Sequence, residues 1–206
     1  MADAETSILE TSMADIAVML LNKLRGRPAM APLTGPPVDP TLVRPAPSLS
    51  ERDASIEKRR LLTMLPVTQE FVKGILAWVR AQGVPCILGE THRSLAEQIE
   101  MSKQGKTAVP EGQTGWHQYG RAFHLIIYKP GTRQLDPEAY RIVGNEVRRR
   151  GGEWLGDTLL KTPKGEMFQD LAHFEYHPGL HLSSYRGTAL AKQELAMTNK
   201  RAARYG

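Results

Sequence analysis

Aromatic residues are absent from the first third of the chain. None occurs before Phe71, although the 206 residues include thirteen Phe, Trp and Tyr side chains, which bury the largest apolar areas in protein cores. Seven of the fourteen prolines lie between Pro28 and Pro47, among Ala, Thr and Gly. This composition buries too little apolar surface to offset chain entropy. We therefore expect a linker over residues 28–49, a folded domain over 50–190 and a basic C-terminal tail over 191–206.

Residues 1–27 ahead of the linker carry apolar side chains at helical spacing, for example Ile8, Met13, Ile16 and Leu20. This periodicity predicts an amphipathic helix. A lone amphipathic helix needs a partner surface, so we expect it to mediate self-association or docking.

Charge and cysteine content exclude several classes of protein. The net charge of +5 allows loose association with polyanions without selecting one, and no basic–aromatic motif indicates a nucleic-acid binder. Cys86 is the single cysteine, so the fold requires no internal disulfide. Acidic residues precede the first basic one, Lys23, which argues against a secretory signal, and no apolar run is long enough to span a bilayer. We expect cytoplasmic synthesis without a signal peptide.

Local signals after the linker predict alternating helices and short strands. Ser50 is a helix N-cap, Pro66 ends that helix, Thr68 caps a second helix that stops at Gly83, and Ser94 with Glu97 forms a capping box. Further predicted elements are a buried strand at 84–88, a strand at 122–128, a helix at 138–150 and an alternating strand at 173–177. The elements lack a regular βαβ order, so we predict an α+β fold.

All six histidines lie at or after His92, and four lie in or beside predicted strands near acidic groups. Zinc binds imidazole and carboxylate ligands, and a catalytic site keeps three protein ligands with one position for water. The pair His173 and His177 has the spacing of a helical zinc motif. Pro178 excludes a helix there because it disfavours the α region for His177. The histidines therefore predict a metal site built on strands and turns.

Four segments in order resemble the motifs of the M15 metallopeptidases, which include D-Ala-D-Ala carboxypeptidases and phage L-alanyl-D-glutamate endopeptidases. Residues 117–124, HQYGRAFH, resemble H-x-x-G-x-A-x-D, and residues 170–175, DLAHFE, resemble D-x-P-H-F-E. Residues 89–94 resemble the G-x-R-S turn, and 151–154 the W-G-G-D-W segment. The resemblance covers about 65–182 and implies a small antiparallel sheet with flanking helices.

The resemblance also implies the site residues. His117, His124 and His173 would bind Zn²⁺, and Asp170 would handle the proton of the attacking water. Arg93 would be catalytic and contact the substrate carboxylate or the developing oxyanion. Gln98 would be a second substrate contact.

Two positions depart from the family pattern. His124 stands where the family has Asp, which removes one negative charge from the site, and Gly115 stands where the family usually has Ser. Taken alone, His124 would be read as an ordinary core histidine. These departures keep open an alternative, a catalytically degenerate module that binds zinc or peptide.

The function implied is zinc-dependent cleavage of the peptidoglycan stem peptide. The D-x-x-H-F-E form favours an L-Ala-D-Glu endopeptidase, with a D-Ala-D-Ala carboxypeptidase as the alternative. Without a signal peptide, such an enzyme fits a phage endolysin that reaches the bacterial cell wall through a holin-type release partner.

Overall fold

The computed structural model describes residues 49–129 and 132–206. The predicted N-terminal helix and all but the last residue of the predicted linker lie outside the described residues. The helices are α1 (Glu51–Thr63), α2 (Pro66–Ala81), α3 (Leu95–Lys103), α4 (Pro137–Arg149), α5 (Leu182–Tyr185) and α6 (Ala189–Tyr205). The strands are β1 (Cys86–Leu88), β2 (Ala122–Ile127), β3 (Glu153–Trp154), β4 (Leu160–Lys161), β5 (Met167–Phe168) and β6 (His173–Glu175).

Helix boundaries follow the local capping signals, with one correction. The Ser50 side chain accepts a hydrogen bond from the Asp53 N–H at 3.1 Å, and Ser94 and Glu97 form the predicted capping box. Helix α2 begins at Pro66, two residues before the predicted cap Thr68. Proline fits the first helical position because its N–H would have no intrahelical partner there. Thr68 is therefore buried inside the helix.

Four antiparallel strands form the central sheet in the order β1-β2-β6-β3. Strands β4 and β5 form a separate two-stranded hairpin. With its flanking helices, this arrangement is the predicted α+β fold with a small antiparallel sheet. No helix in the described ranges is long and apolar enough to cross a membrane.

The side-chain alternation of the central strands separates a core face from a polar face. Phe123, Leu125 and Ile127 of β2 and Phe174 of β6 are fully buried, and they join the apolar cluster that includes α2 and α4 side chains. Because successive strand residues point to opposite faces, His124 lies on the other face of the sheet. The register pairs His124 with His173 on the neighbouring strand. The sheet thus brings two predicted metal ligands together.

The predicted basic tail is a helix that packs on the domain. Arg121, 1% exposed, donates two hydrogen bonds to the Glu194 carboxylate on α6, one of them at 2.8 Å. Arg201 donates to the Leu62 carbonyl at 2.7 Å. The sequence prediction ended the folded domain at residue 190, and the structure extends it through α6. A buried ion pair between segments 73 residues apart leaves no local signal in the sequence.

Candidate metal centre

A tight turn carries His117 into the site just before β2. The Gly120 N–H donates to the His117 carbonyl at 3.1 Å, and the Arg121 N–H donates to the Trp116 carbonyl at 2.9 Å. Gly120 has a φ of +64°, and a Cβ there would lie 2.6 Å from Thr198 Cγ2. The glycine of the H-x-x-G motif is thus required both by its left-handed backbone and by the close approach of α6.

One ring nitrogen from each of three histidines converges on one point. His117, His124 and His173 each offer a nitrogen, and these atoms lie within 4.8 Å of one another. His124 Nε2 lies 3.1 Å from His173 Nδ1. His117 Nε2 is buried and has no hydrogen-bond partner. A buried polar atom without a partner is costly unless a ligand satisfies it.

The opposite nitrogens of two of these rings are held by acceptors. His117 Nδ1–H donates to the Thr91 carbonyl at 3.1 Å, and His173 Nε2–H donates to Glu175 Oε1 at 2.8 Å. A hydrogen bond on one ring nitrogen fixes the tautomer and leaves the other nitrogen free to bind a metal. Both rings therefore present an unprotonated nitrogen to the common point.

Electrostatics also favour neutral imidazoles in the cluster. Burial holds the pKa of His117 well below its usual range and lowers the pKa of His124 to about 4. Only the neutral form of histidine binds a metal ion. The His117 and His124 rings are therefore in their metal-binding form at neutral pH.

The donor set fits Zn²⁺. Zinc binds histidine nitrogens at about 2.0–2.1 Å in a tetrahedron, which separates two ligand nitrogens by about 3.3 Å. The 3.1 Å between His124 Nε2 and His173 Nδ1 is close to this separation. Three imidazoles leave a fourth position open, as catalytic zinc sites do. The His117, His124 and His173 cluster could therefore hold the metal that the sequence predicts.

Asp170 lies at the edge of the cluster. Its Oδ2 is 3.7 Å from His124 Nε2, and its side chain is 31% exposed. The carboxylate precedes β6 and lines the cleft beside the three histidines. A partly solvated carboxylate at this distance is placed to exchange a proton with water in the cleft.

Arg93 and Gln98 also line the cleft, but their polar groups are engaged within the protein. Arg93 Nε donates to Glu90 Oε1 at 2.9 Å and Nη2 donates to Glu90 Oε2, while Nη1 donates to Gln98 Oε1 at 3.0 Å. Gln98 in turn donates to the Thr107 hydroxyl at 3.1 Å. The structure thus places both predicted substrate contacts at the site, where they form a buried polar chain.

The cleft beside the histidines has a volume of about 390 Å³. Apolar side chains form much of its wall, and Lys106 and Arg186 add positive charge. The apolar lining includes Met101, Val109, Trp116, Leu155, Leu160, Phe168 and Leu182.

Two acidic residues of the site were missed by the sequence analysis. Glu90 Oε2 lies 3.8 Å from His124 Nδ1 and 4.0 Å from His117 Nε2. Glu175 accepts hydrogen bonds from both His173 and His177. Burial alone would raise the pKa of Glu175, but these hydrogen bonds lower it to about 2. Both residues lie inside the motif segments, so their positions were visible but their contacts were not.

His177 contacts the cluster only through Glu175, which also binds His173, and does not join it. Its Nδ1–H donates to the Leu180 carbonyl, its Nε2–H donates to Glu175 Oε2 at 2.7 Å, and its ring stacks on Trp116 at 4.3 Å. Burial alone would lower the pKa of His177, but the hydrogen bond to Glu175 raises it. His177, Glu175 and Glu153 offer a second group of close donor atoms, in which both nitrogens of His177 are already partnered. These contacts give His177 a structural role.

Comparison with known proteins gives structural similarity alone. No protein-family model and no curated protein matches the sequence. The Serratia marcescens L-Ala D-Glu endopeptidase ChiX is 21% identical, with a TM-score of 0.46 over 59% of this chain and 86% of that one. The second structure is the vancomycin-resistance D,D-pentapeptidase VanY from a VanB-type resistance cassette, a mutant in complex with Zn(II). It is 18% identical, with a TM-score of 0.43 over 64% of this chain and 83% of that one. These likenesses concern the structure only, and the resemblance to M15 peptidases rests on the sequence motifs.

Proposed function

We propose that this protein is an M15-type zinc peptidase that hydrolyses the peptidoglycan stem peptide. The observation that carries the proposal is the convergence of three imidazole nitrogens, one of them buried without a partner, next to the cleft carboxylate of Asp170. A zinc ion bound there would lower the pKa of a water molecule toward about 7 and polarise a peptide carbonyl. The four ordered sequence motifs support the same family.

Asp170 is the proposed acid–base residue. Its side chain is open to the cleft and adjacent to His124. From this position the carboxylate can accept the proton of an attacking water and pass it to the leaving amine. His117, His124 and His173 would act as ligands, and burial keeps the pKa values of His117 and His124 low.

The bond between L-Ala and D-Glu is the proposed cleavage point. The D-x-x-H-F-E form of residues 170–175 supports an endopeptidase, and the alternative remains removal of the terminal D-Ala. Stem peptides carry small methyl side chains and free carboxylates. The apolar wall and the Lys106 and Arg186 cations match these groups in kind.

The site of action in this proposal is the bacterial cell wall. We propose an endolysin-like role, with synthesis in the cytoplasm and a holin-type partner that gives access to the wall. This part of the proposal rests on the sequence alone.

Mass spectrometry of purified peptidoglycan digested with the zinc-loaded protein tests the activity. We expect a new amino terminus on D-Glu, with loss of activity in His117→Ala and Asp170→Asn. Glu70→Gln, an exposed change of the same kind as Asp170→Asn, serves as the control. Release of D-Ala would assign the carboxypeptidase activity instead. Intact wall peptides after digestion with several divalent metals would contradict a peptidase.

The second candidate function is a zinc- or peptide-binding module without hydrolytic activity. His124 favours it, because the family has an anionic ligand at this position. The variant His124→Asp separates the two proposals. A degenerate site should gain hydrolysis when the carboxylate is restored, whereas a site adapted to three histidines should lose it.

A further inference from the structure

The Glu90 carboxylate lies against two of the three clustered imidazoles, although the motifs assign it no role. Its Oε2 is 3.8 Å from His124 Nδ1, the nitrogen opposite the one that faces His173. His117 and His173 each have an acceptor on the outer ring nitrogen at 3.1 Å or less. Glu90 faces the corresponding nitrogen of His124 at an ion-pair distance, which is longer than a hydrogen bond.

The backbone fixes this placement. The Gly89 N–H donates to the His124 carbonyl at 2.7 Å, and the His124 N–H donates to the Glu90 carbonyl at 2.8 Å. These two bonds continue the β1–β2 pairing beyond Leu88. A Cβ on Gly89 would lie 3.0 Å from the His124 Cβ, so the two segments are in close contact. Glu90 therefore lies beside His124 because of strand pairing.

Arg93 holds the Glu90 carboxylate in place. Two guanidinium nitrogens bind the two carboxylate oxygens, and the third binds Gln98. A bidentate pair with a buried arginine fixes the orientation of a carboxylate. The negative charge is thus held next to the ring that replaces the family's aspartate.

We propose that Glu90 is a positioning residue for the metal centre, which orients His124 through Nδ1–H and supplies the negative charge that His124 itself lacks. This inference rests on the zinc site of the proposed function. In metal sites, a carboxylate behind a histidine fixes the ring and increases its basicity, and loss of such a partner typically lowers metal affinity 10- to 100-fold. The pair of Glu90 and His124 would then do together what a single aspartate ligand does in the family.

Zinc dissociation constants measured by competition with a chromophoric chelator test the proposal without reference to activity. We expect Glu90→Gln to weaken zinc binding 10- to 100-fold, and Glu90→Asp, which keeps the charge and can still pair with Arg93, to weaken it much less. Glu70→Gln on the exposed face of α2 is the control and should match the wild type. Equal losses in Glu90→Gln and Glu90→Asp would overturn the proposal.

A double-mutant cycle separates charge compensation from general support of the loop. In a His124→Asp background the aspartate carries the charge, so Glu90→Gln should have little effect on zinc affinity or should improve it. A purely structural role predicts the same loss in both backgrounds, and that result would overturn the proposal. The visible spectrum of the Co²⁺-substituted protein should change with Glu90→Gln, because the His124 ligand moves.

The wild-type measurement keeps this inference distinct from the proposed function. If the wild-type protein binds no zinc in a 1:1 complex, the metal site fails, and the role of Glu90 fails with it. If the wild type binds zinc and Glu90→Gln binds it equally well, only the role of Glu90 is refuted.

Discussion

Alternating residues of the same strands form the two faces of the central sheet, and the two faces differ in what holds them together. On the core face, Phe123 and Phe174 are fully buried and stack at 5.6 Å between ring centroids. On the other face, His124 and His173 are partly exposed and bring two ring nitrogens to within 3.1 Å of each other. One face is held by apolar burial, while the other is held by directed hydrogen bonds to acceptors such as Glu175. A substitution on the first should therefore remove the fold, and one on the second should remove only a function.

Loss of a core aromatic has the largest expected effect. Phe174→Ala removes a fully buried ring that contacts Phe123, Tyr140 and Trp154. We expect it to lower the free energy of unfolding by about 3–5 kcal/mol, measured by urea denaturation. The control Ile142→Ala, on the exposed side of α4, should change it by less than about 0.5 kcal/mol. Equal effects of the two variants would contradict the assignment of the core face.

The adjacent position on the site face should respond differently. His173→Ala removes one cluster nitrogen but leaves the apolar core intact. Zinc at 100 times its dissociation constant should stabilise the wild type by about 2.7 kcal/mol, and this gain should be absent in His173→Ala. Thermal unfolding with and without zinc measures the difference. A variant still stabilised by zinc to the wild-type extent would remove His173 from the ligand set.

Titration of the histidines on the site face should lower the free energy of unfolding gradually as the pH falls. In the metal-free protein, burial lowers the pKa of His124 from its ordinary value of 6.5 to about 4, and burial also lowers the pKa of His117. The unfolded chain therefore binds more protons below pH 6.5, so stability should fall as the pH drops from 6.5 toward 4. The slope per imidazole is at most about 1.4 kcal/mol per pH unit. Unfolding free energies measured across this range give the slope.

A matched variant isolates the contribution of His124. The pKa of His177 is raised in the fold, so protonation of His177 stabilises the folded state as the pH falls. The observed pH dependence of the free energy of unfolding is therefore a sum of opposing contributions. His124→Gln removes one titrating ring and should make the decline shallower. A steeper decline in His124→Gln would show that the ring is not held neutral by burial.

Local signals made much of the fold predictable. Ser50 and Ser94 with Glu97 cap their helices as expected, because capping depends on residues three positions apart or fewer. The alternation of strand residues made the opposite faces of β2 and β6 predictable as well. The grouping of His117, His124 and His173 was implied by the resemblance to the M15 motifs.

Long-range polar pairs were not predictable. Glu90 lies beside His124 only because β1 pairs with β2, and Glu194 binds Arg121 only because α6 packs against α1 and the His117 turn. Charged residues in a sequence give no sign of which distant partner they will meet. The hydrogen bonds of Arg93 to Glu90 and Gln98 join residues three and five positions apart, and the sequence analysis did not predict them either.

Contact between α6 and the His117 turn has a practical consequence for protein engineering. The Thr198 hydroxyl donates to the Gln118 carbonyl at 2.6 Å, and its methyl group lies against Gly120. A truncated version ending near residue 190 would leave that carbonyl and a buried arginine without partners, next to His117. Any unit of this chain that is fused to another domain should therefore extend at least to Tyr205.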